Sequence, residues 1–392
     1  MEGSERVRAA LAMEPLDGRD RPPAAWWAHT YVEEWSPASL ARVTLERQRR
    51  FGWDFVKLQP RATCFAEAFG ATYRPSGRPD RAPALQSQPV SGPEDWEAIA
   101  AAAPDAGAPA LADQTESLSR VVAELDGSVP VMQTVFSPLT VAGYLLGEDR
   151  GRAVAELRGR PEVVGAALAR IAETLADFAG RSVGAGAAGV FYAVSGYASA
   201  DLMTDQEYGE LALPHDRRVL DAIPPAAWCN VLHLCGGNLH FSLTGDLPSH
   251  AVSWSVHDPG NPSLAEGRDL AGRAAMGGVD RAGALVNGSP GLVRDQVLQA
   301  LEETGGRGLL LAPGCSVPPE APPGNLAAFM RAARAFDPGP ESEPAGASRS
   351  PACLTRATSL SRSPGDNRRV SAAVARTRPP NPPPRTTDMR TM

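Results

Sequence analysis

The sequence contains few cysteines, a single lysine (Lys57) and no long apolar run. Cysteine accounts for only 5 of 392 residues. That is too few for the dense disulfide framework of small secreted proteins, so metal binding or core packing is the better expectation. No stretch approaches the roughly 20 apolar residues that a membrane span needs, and residues 1–8 are too polar to resemble a signal peptide. These absences predict a cytoplasmic protein with no membrane association.

Acidic residues outnumber basic ones, and the formal net charge is -7. The C-terminal tail, residues 337–392, has the opposite sign, with nine arginines against five acidic residues. Because nucleic-acid-binding proteins carry basic surfaces, the acidic body predicts that nucleic acid is not a partner. The tail is rich in Pro, Arg and Ser and has no apolar periodicity, so we expect it to be disordered.

Between residues 24 and 336, short apolar runs alternate with longer amphipathic segments. This alternation is typical of repeated β-then-α units around a parallel sheet. Eight strands close a (β/α)8 or TIM barrel, so the pattern predicts one α/β barrel domain over residues 1–336. Residues 61–129, after the second strand, are too long for a loop and predict an insertion covering one end of the barrel. The eight candidate strands are residues 24–29, 55–58, 131–135, 189–194, 228–234, 251–256, 273–277 and 308–312.

The strongest local signal is the run Val231-Leu-His233-Leu-Cys235-Gly-Gly at the end of the fifth candidate strand. Residues two apart on a strand point to the same side, so His233 and Cys235 would both face the barrel interior. The eighth candidate strand leads to Cys315, at the C-terminal rim where barrel enzymes keep their active sites. We therefore predict that the three side chains share a metal ion across the barrel mouth.

Zinc suits this set of ligands. One imidazole nitrogen and two thiolates match its softness, and three protein ligands leave the open fourth position of a catalytic site. The alternative that the residues leave open is a buried core histidine with two inert cysteines. Gln133 and Tyr192, at the ends of the third and fourth strands, would face the mouth if their register allows it.

Several motifs, taken in order, resemble the uroporphyrinogen decarboxylase superfamily. The resemblance is closest to its branch of zinc methyltransferases that serve corrinoid proteins, and it covers about residues 5–336. The most specific motif is the His-x-Cys pair with the distant cysteine. The motifs are His233-Leu-Cys-Gly, Trp254-Ser-Val-His-Asp258, Ala275-Met-Gly-Gly278, Asn287-Gly-Ser-Pro, Leu311-Ala-Pro-Gly-Cys315-Ser-Val-Pro-Pro and Asn325-Leu326, after Phe136-Ser-Pro138 and Gly189-Val-Phe-Tyr192 upstream.

The resemblance implies that the zinc holds a small-molecule thiol in its fourth position and removes its proton, forming a zinc thiolate. The thiolate would then take a methyl group from a methylated corrinoid (cobalamin) carried by a partner protein, or from a small methylated compound. In some relatives a glutamate at the end of the sixth strand occupies the fourth site. This sequence has His257 and Asp258 there, which could replace that glutamate, orient His233, or be polar loop residues.

Two further groups complete the predicted site. Tyr192 joins His257 and Asp258 as a candidate catalytic residue. Trp27 and His29, at the end of the first strand, and Gln133 are candidate cofactor-binding residues.

The resemblance leaves a metal-free decarboxylase as the main alternative. Such carboxy-lyases of porphyrin metabolism bind a polycarboxylate tetrapyrrole through basic residues near the first strand. Here that strand ends in Trp26-Trp27-Ala-His29-Thr-Tyr31, which predicts an aromatic mouth, although Lys57 and Arg61 could add positive charge. A second alternative is a barrel that binds a ligand without turnover or whose metal is only structural, so that removing the metal would unfold it.

Overall fold

The structure is a computed structural model that describes residues 1–15 and 20–336. Seven parallel strands form one sheet in the order β1-β4-β5-β6-β7-β8-β9, and β2 and β3 form a separate antiparallel hairpin. The tail predicted to be disordered, residues 337–392, lies outside the described residues. The strands are β1 (Val56–Leu58), β2 (Thr72–Arg74), β3 (Ala84–Ser87), β4 (Val131–Phe136), β5 (Gly189–Ser195), β6 (Val231–Cys235), β7 (Ala251–Ser253), β8 (Ala274–Val279) and β9 (Leu309–Pro313).

Helices connect the strands and pack against the sheet. The longest of them, α8, buries Val164, Leu168, Ile171, Leu175 and Phe178 on one stripe, as the spacing of three and four residues predicts. No helix within the described ranges is long and apolar enough to cross a membrane. The helices are α1 (Gly3–Leu11), α2 (Pro37–Phe51), α3 (Cys64–Glu67), α4 (Pro93–Ala101), α5 (Pro109–Leu125), α6 (Pro138–Leu145), α7 (Arg150–Gly159), α8 (Pro161–Gly184), α9 (Asp205–Leu211), α10 (Leu213–Asp221), α11 (Leu264–Ala271), α12 (Pro290–Thr304) and α13 (Pro323–Arg334).

Seven of the eight predicted strands are confirmed, and the first is the exception. Residues 24–29 run extended but pair only through isolated bridges, from Ala24 to Leu311 and from Ala28 to Val317. The backbone N–H of Asp54, just before β1, donates to the Ala24 carbonyl oxygen at 3.0 Å. This segment therefore pairs with β9 on one side and contacts the start of β1 on the other, an arrangement consistent with a TIM barrel.

The long segment between the second and third predicted strands is structured. It holds α3, the β2–β3 hairpin, α4 and α5. Helix α5 buries Leu111, Leu118 and Val121 and packs against α2 and β4, so it is the connecting helix that a β-α-β unit requires. The elements before α5 are additional to a single β-α-β connection. That the segment covers one end of the barrel stays a prediction.

The alternation of side chains along β5 corrects two predictions. Phe191, Ala193 and Ser195 line a cavity, so Tyr192 points to the opposite face of the sheet. Gln133 shares that opposite face, because it is in register with Val190, two residues before Tyr192. Both side chains are buried against the helix layer, and neither faces the mouth as predicted.

A buried carboxylate ties Tyr192 to this helix layer. The Tyr192 hydroxyl donates to Asp216 Oδ1 of α10 at 2.7 Å, and the Tyr208 hydroxyl of α9 donates to Oδ2 at 2.5 Å. Burial raises the pKa of Asp216 to about 7, although both hydroxyls act to lower it. Tyr192 therefore anchors two helices to β5.

We predict that Asp216→Asn removes a pH dependence of stability. The Asp216 carboxyl loses its proton near pH 4 in the unfolded chain but only near pH 7 in the folded one. Because the folded state then holds the extra proton, the free energy of unfolding falls as pH rises from about 4 to about 7, by up to about 4 kcal/mol. Urea denaturation at several pH values in this window should show a smaller fall in the variant than in the wild type.

Asp221→Asn is the matched control, because Asp221 is exposed at the end of the same helix. The free energy of unfolding of this variant should depend on pH in the same way as that of the wild type. An unchanged slope in Asp216→Asn would show that the buried carboxyl does not change its pKa on folding.

Candidate metal centre

Three donor side chains meet at the C-terminal end of the sheet. His233 and Cys235 lie two residues apart on β6 and point to the same side, and Cys315 follows the end of β9. The Sγ atoms of Cys235 and Cys315 are 3.7 Å apart. One donor atom from each of the three residues lies within 4.8 Å of the others, and within the described ranges no second such group of His, Cys, Asp or Glu occurs. The structure thus brings together the three predicted metal ligands.

Gly314 allows the chain to place Cys315 beside the two donors on β6. A Cβ on Gly314 would lie 2.6 Å from the Cα of Ser255, well inside contact distance, so a larger residue would push the chain away. The Gly314 N–H also donates to the Val279 carbonyl oxygen at 3.1 Å, which continues the ladder between β8 and β9. This close approach keeps Cys315 within reach of the donors on β6.

One nitrogen of the His233 ring is left without a partner. The side chain is only 3% exposed, and its Nδ1 lies 3.1 Å from Ser253 Oγ on β7. Its Nε2 is buried and has no hydrogen-bond partner among the described residues. In the tautomer that leaves Nε2 free, Nδ1–H donates to Ser253, which is how protein partners usually orient a ligating histidine. A buried polar atom without a partner is costly, and a metal ion would satisfy it.

The two thiols differ in acidity. The Cys235 thiol donates to Cys315 Sγ, and with His233 and Arg281 nearby this lowers the pKa of Cys315 well below its ordinary value. The same hydrogen bond and the Cys315 charge raise the pKa of Cys235. Cys315 is therefore the first of the pair to become a thiolate, which is the form that ligates metals.

The donors line a cavity of about 650 Å³, here called the main cavity. Much of its wall is aromatic, and His29 stacks on Tyr31 with ring centroids 4.8 Å apart. Trp27 and His29 are both part of this wall, so the first segment faces the mouth as the sequence predicted. The aromatic and acidic residues that line it are Trp27, His29, Tyr31, Phe136, Tyr144, Phe191, Asp80, Glu148 and Glu320.

Lys57 contributes an amine to the same cavity. Its Nζ lies 5.1 Å from the Phe191 ring centroid, and it donates to Gln59 Oε1 at 2.5 Å. Burial lowers the pKa of Lys57 to about 7, partly offset by Cys315 and Glu34. Arg61 does not join it, because its guanidinium is held by Glu67 through two hydrogen bonds of 2.9 Å.

The loop residues predicted to assist the metal do not reach it. His257 is exposed, and its Nε2 lies 3.2 Å from the Gly278 carbonyl oxygen. Neither His257 nor Asp258 belongs to the donor group. The residue that forms a hydrogen bond with His233 is Ser253, which no sequence motif indicates. Only the β6–β7 register, in which His233 pairs with Ser253, reveals this contact.

Comparison with known proteins points to one family. The sequence profile of uroporphyrinogen decarboxylase (URO-D) matches residues 34–336. The methylcobamide:CoM methyltransferase MtbA of Methanosarcina acetivorans is 23% identical over 85% of this chain and 97% of its own length. A uroporphyrinogen decarboxylase of Nocardioides sp. is 30% identical over 47% of this chain and 52% of its own length.

A solved structure shares the fold. The structure of a methyltransferase from Methanosarcina mazei superposes with a TM-score of 0.71 at 22% sequence identity. The match covers 85% of this chain and 98% of that one. At this level of identity the likeness concerns the fold alone.

We predict that iodoacetamide alkylates Cys315 before Cys235 in metal-free protein near neutral pH. The thiolate is the reactive form, and each unit of pKa difference changes its fraction about tenfold, so Cys315 should react at least about tenfold faster. Brief labelling followed by peptide mass spectrometry measures the order.

Cys64 and Cys229 are internal controls. Both are buried, and burial raises the pKa of both thiols, that of Cys229 to about 12, so they should stay unlabelled in folded protein. Faster labelling of Cys235 would contradict the assignment.

Proposed function

The chain belongs to the uroporphyrinogen decarboxylase family, and from this premise we propose that it is a zinc-dependent methyltransferase that activates a small-molecule thiol. His233, Cys235 and Cys315 are the zinc ligands of the proposal. Residues 1–336 form its catalytic domain, a closed (β/α)8 barrel in which residues 24–29 supply the first strand.

One observation carries this proposal. His233 Nε2 is buried without a partner among the described residues, and a ring nitrogen of His233 lies within 4.8 Å of two cysteine Sγ atoms on the wall of a cavity. One nitrogen and two sulfur donors suit zinc, and three protein ligands leave a position for a substrate. A purely structural zinc site has four protein ligands, whereas the donor group here has three.

When bound, zinc would lower the pKa of a thiol at its open position, so that the sulfur is a thiolate near neutral pH. The chain supplies the surroundings. The rings of Trp27 and Phe191 shield the donors from water, and the Lys57 amine offers positive charge toward a forming thiolate. Ser253 holds the His233 ring. In the reaction, the thiolate sulfur forms a bond to the methyl carbon. The bond between that carbon and the methyl donor breaks, and its electron pair stays on the donor.

The methyl donor is a methyl-corrinoid, as the word methylcobamide in the name of the MtbA relative suggests, and a partner protein carries it. A small methylated compound is the other candidate. The flat face of a corrin ring fits the aromatic part of the main cavity wall, to which buried Trp27 and half-buried His29 both contribute. If the methyl group is transferred inside the cavity, the partner protein that carries the corrinoid stays outside the barrel.

The charges of the main cavity favour this function over decarboxylation of a porphyrinogen. A polycarboxylate tetrapyrrole needs several cationic contacts, but Asp80, Glu148 and Glu320 line the cavity and would repel it. Lys57 and Arg281 are its two cations among the described residues. The relatives named uroporphyrinogen decarboxylase match only part of this chain.

We predict that the wild-type protein purifies with about one zinc per chain, as a three-ligand catalytic site requires. His233→Ala and Cys315→Ala should lose the metal while staying folded. Ser253→Ala should keep the ligands but bind zinc roughly 10–100-fold more weakly, because the His233 ring loses its orienting contact. Plasma mass spectrometry and a chelator titration measure these effects, with circular dichroism to check folding.

Cys229→Ala is the matched control, because Cys229 is a buried thiol just before β6 that lies outside the donor group. It should bind zinc like the wild type. Zinc-free wild-type protein, after growth with added zinc, would overturn the proposal.

A second prediction concerns the reaction. Zinc-loaded protein should transfer the methyl group of methylcobalamin to a thiol, followed as the loss of the methylcobalamin absorption band and by mass spectrometry of the thioether. His233→Ala should reduce the rate to background, and Cys229→Ala should not change it. Release of carbon dioxide from uroporphyrinogen, with no thioether formed, would favour the decarboxylase instead.

A further inference from the structure

A second, smaller cavity of about 300 Å³ adjoins the main cavity and reaches the same donor group. We call it the side chamber. Glu148, Arg150, Ser195, Tyr197 and Cys235 contribute to its wall. Three of these, Glu148, Ser195 and Cys235, also line the main cavity. The two compartments therefore meet beside Cys235, and a group held at the donors could extend into either one.

Three polar groups of the side chamber lack partners within the described ranges. Tyr197 is 1% exposed, and its hydroxyl makes no hydrogen bond. The Glu148 carboxylate accepts no hydrogen bond and is in no ion pair. Arg150 likewise pairs with no described acid, whereas Arg158 on the same helix binds Glu207 at 2.8 Å. A buried hydroxyl such as that of Tyr197 normally finds a partner in the protein, so it is suited to a ligand. Glu148 and Arg150 are exposed, and their charges are available to the same ligand.

The backbone holds these groups in place. Glu148 lies in the turn between α6 and α7 with φ of 68°, a conformation that is costly for a residue with a side chain. Its N–H donates to the Gly143 carbonyl oxygen at 2.8 Å. The Tyr197 hydroxyl lies against Gly143, where any larger side chain would displace it. These contacts fix the positions of Glu148 and Tyr197 at the chamber wall.

Size divides the two compartments between two reactants. The main cavity is larger and has Trp27, Tyr31 and Phe191 in its wall, so it suits the methyl donor. The side chamber is about half that volume and carries one cationic side chain, one anionic side chain and a free hydroxyl. A small polar molecule whose sulfur sits beside Cys235 fits there.

We infer that the side chamber binds the zwitterionic end of the thiol substrate, so that the substrate is an α-amino acid whose side chain ends in a thiol. Arg150 and the Tyr197 hydroxyl bind its carboxylate, and Glu148 binds its ammonium group. The assignment rests on the proposed thiol methylation and adds to it the class of acceptor. A simple anionic thiol would leave Glu148 unpaired and close to the anion, which is unfavourable.

Three matched thiols test the assignment by isothermal titration calorimetry on zinc-loaded full-length protein. Homocysteine carries both charged groups, γ-mercaptobutyrate lacks the ammonium, and homocysteamine lacks the carboxylate. Homocysteine should bind tightest, and each missing group should weaken binding roughly ten- to a hundredfold, as expected for one hydrogen bond to a charged group.

Variants assign each contact. Glu148→Gln should weaken homocysteine and homocysteamine but leave γ-mercaptobutyrate unchanged. Arg150→Gln should weaken homocysteine and γ-mercaptobutyrate but leave homocysteamine unchanged. Tyr197→Phe should weaken the binding of the same two thiols as Arg150→Gln, but to a smaller extent. Arg152→Gln is the control, because Arg152 lies on the same helix and does not line the chamber.

The outcomes separate this inference from the proposed function. If γ-mercaptobutyrate or coenzyme M binds the wild type at least as tightly as homocysteine, or if Glu148→Gln weakens every thiol equally, the amino-acid assignment is wrong while thiol activation stands. If none of these thiols binds protein shown to contain zinc, the proposed function itself fails.

Discussion

The contact between His233 and Ser253 across β6 and β7 is the constraint on which the site depends. In the parallel register, Ala193, His233 and Ser253 stand side by side on three adjacent strands. Ser253 occupies one nitrogen of the ring, so the other is presented to Cys235 and Cys315. A shift of one residue would turn every side chain of a strand to the opposite face, and the donors would separate.

The same alternation builds the opposite face of the sheet. Tyr192 lies between two cavity-lining residues of β5 and points outward, where Asp216 binds its hydroxyl and that of Tyr208. The outward side chains thus attach α9 and α10 to the sheet, while the inward ones remain available to a ligand. The side chains that attach the helices and the side chains that could bind a ligand therefore lie on opposite faces of the same strands.

Two of the buried polar atoms that lack partners in the described part of the chain lie at the C-terminal end of the sheet. They are His233 Nε2, on the wall of the main cavity, and the Tyr197 hydroxyl, on the wall of the side chamber. Each unpaired buried group costs roughly 1–3 kcal/mol. This cost is tolerated where a ligand recovers it on binding.

Local patterns in the sequence were enough to indicate the parallel α/β fold and the His233, Cys235 and Cys315 donor set. Apolar runs mark strands, and residues two apart on a strand share a face whatever the rest of the chain does. Register between strands is set by packing over long sequence distances, and it has no local signal. Only the tertiary structure therefore placed Ser253 beside His233 and turned Tyr192 and Gln133 away from the mouth. It also left His257 outside the donor group and brought Arg150 and Tyr197 together in the side chamber.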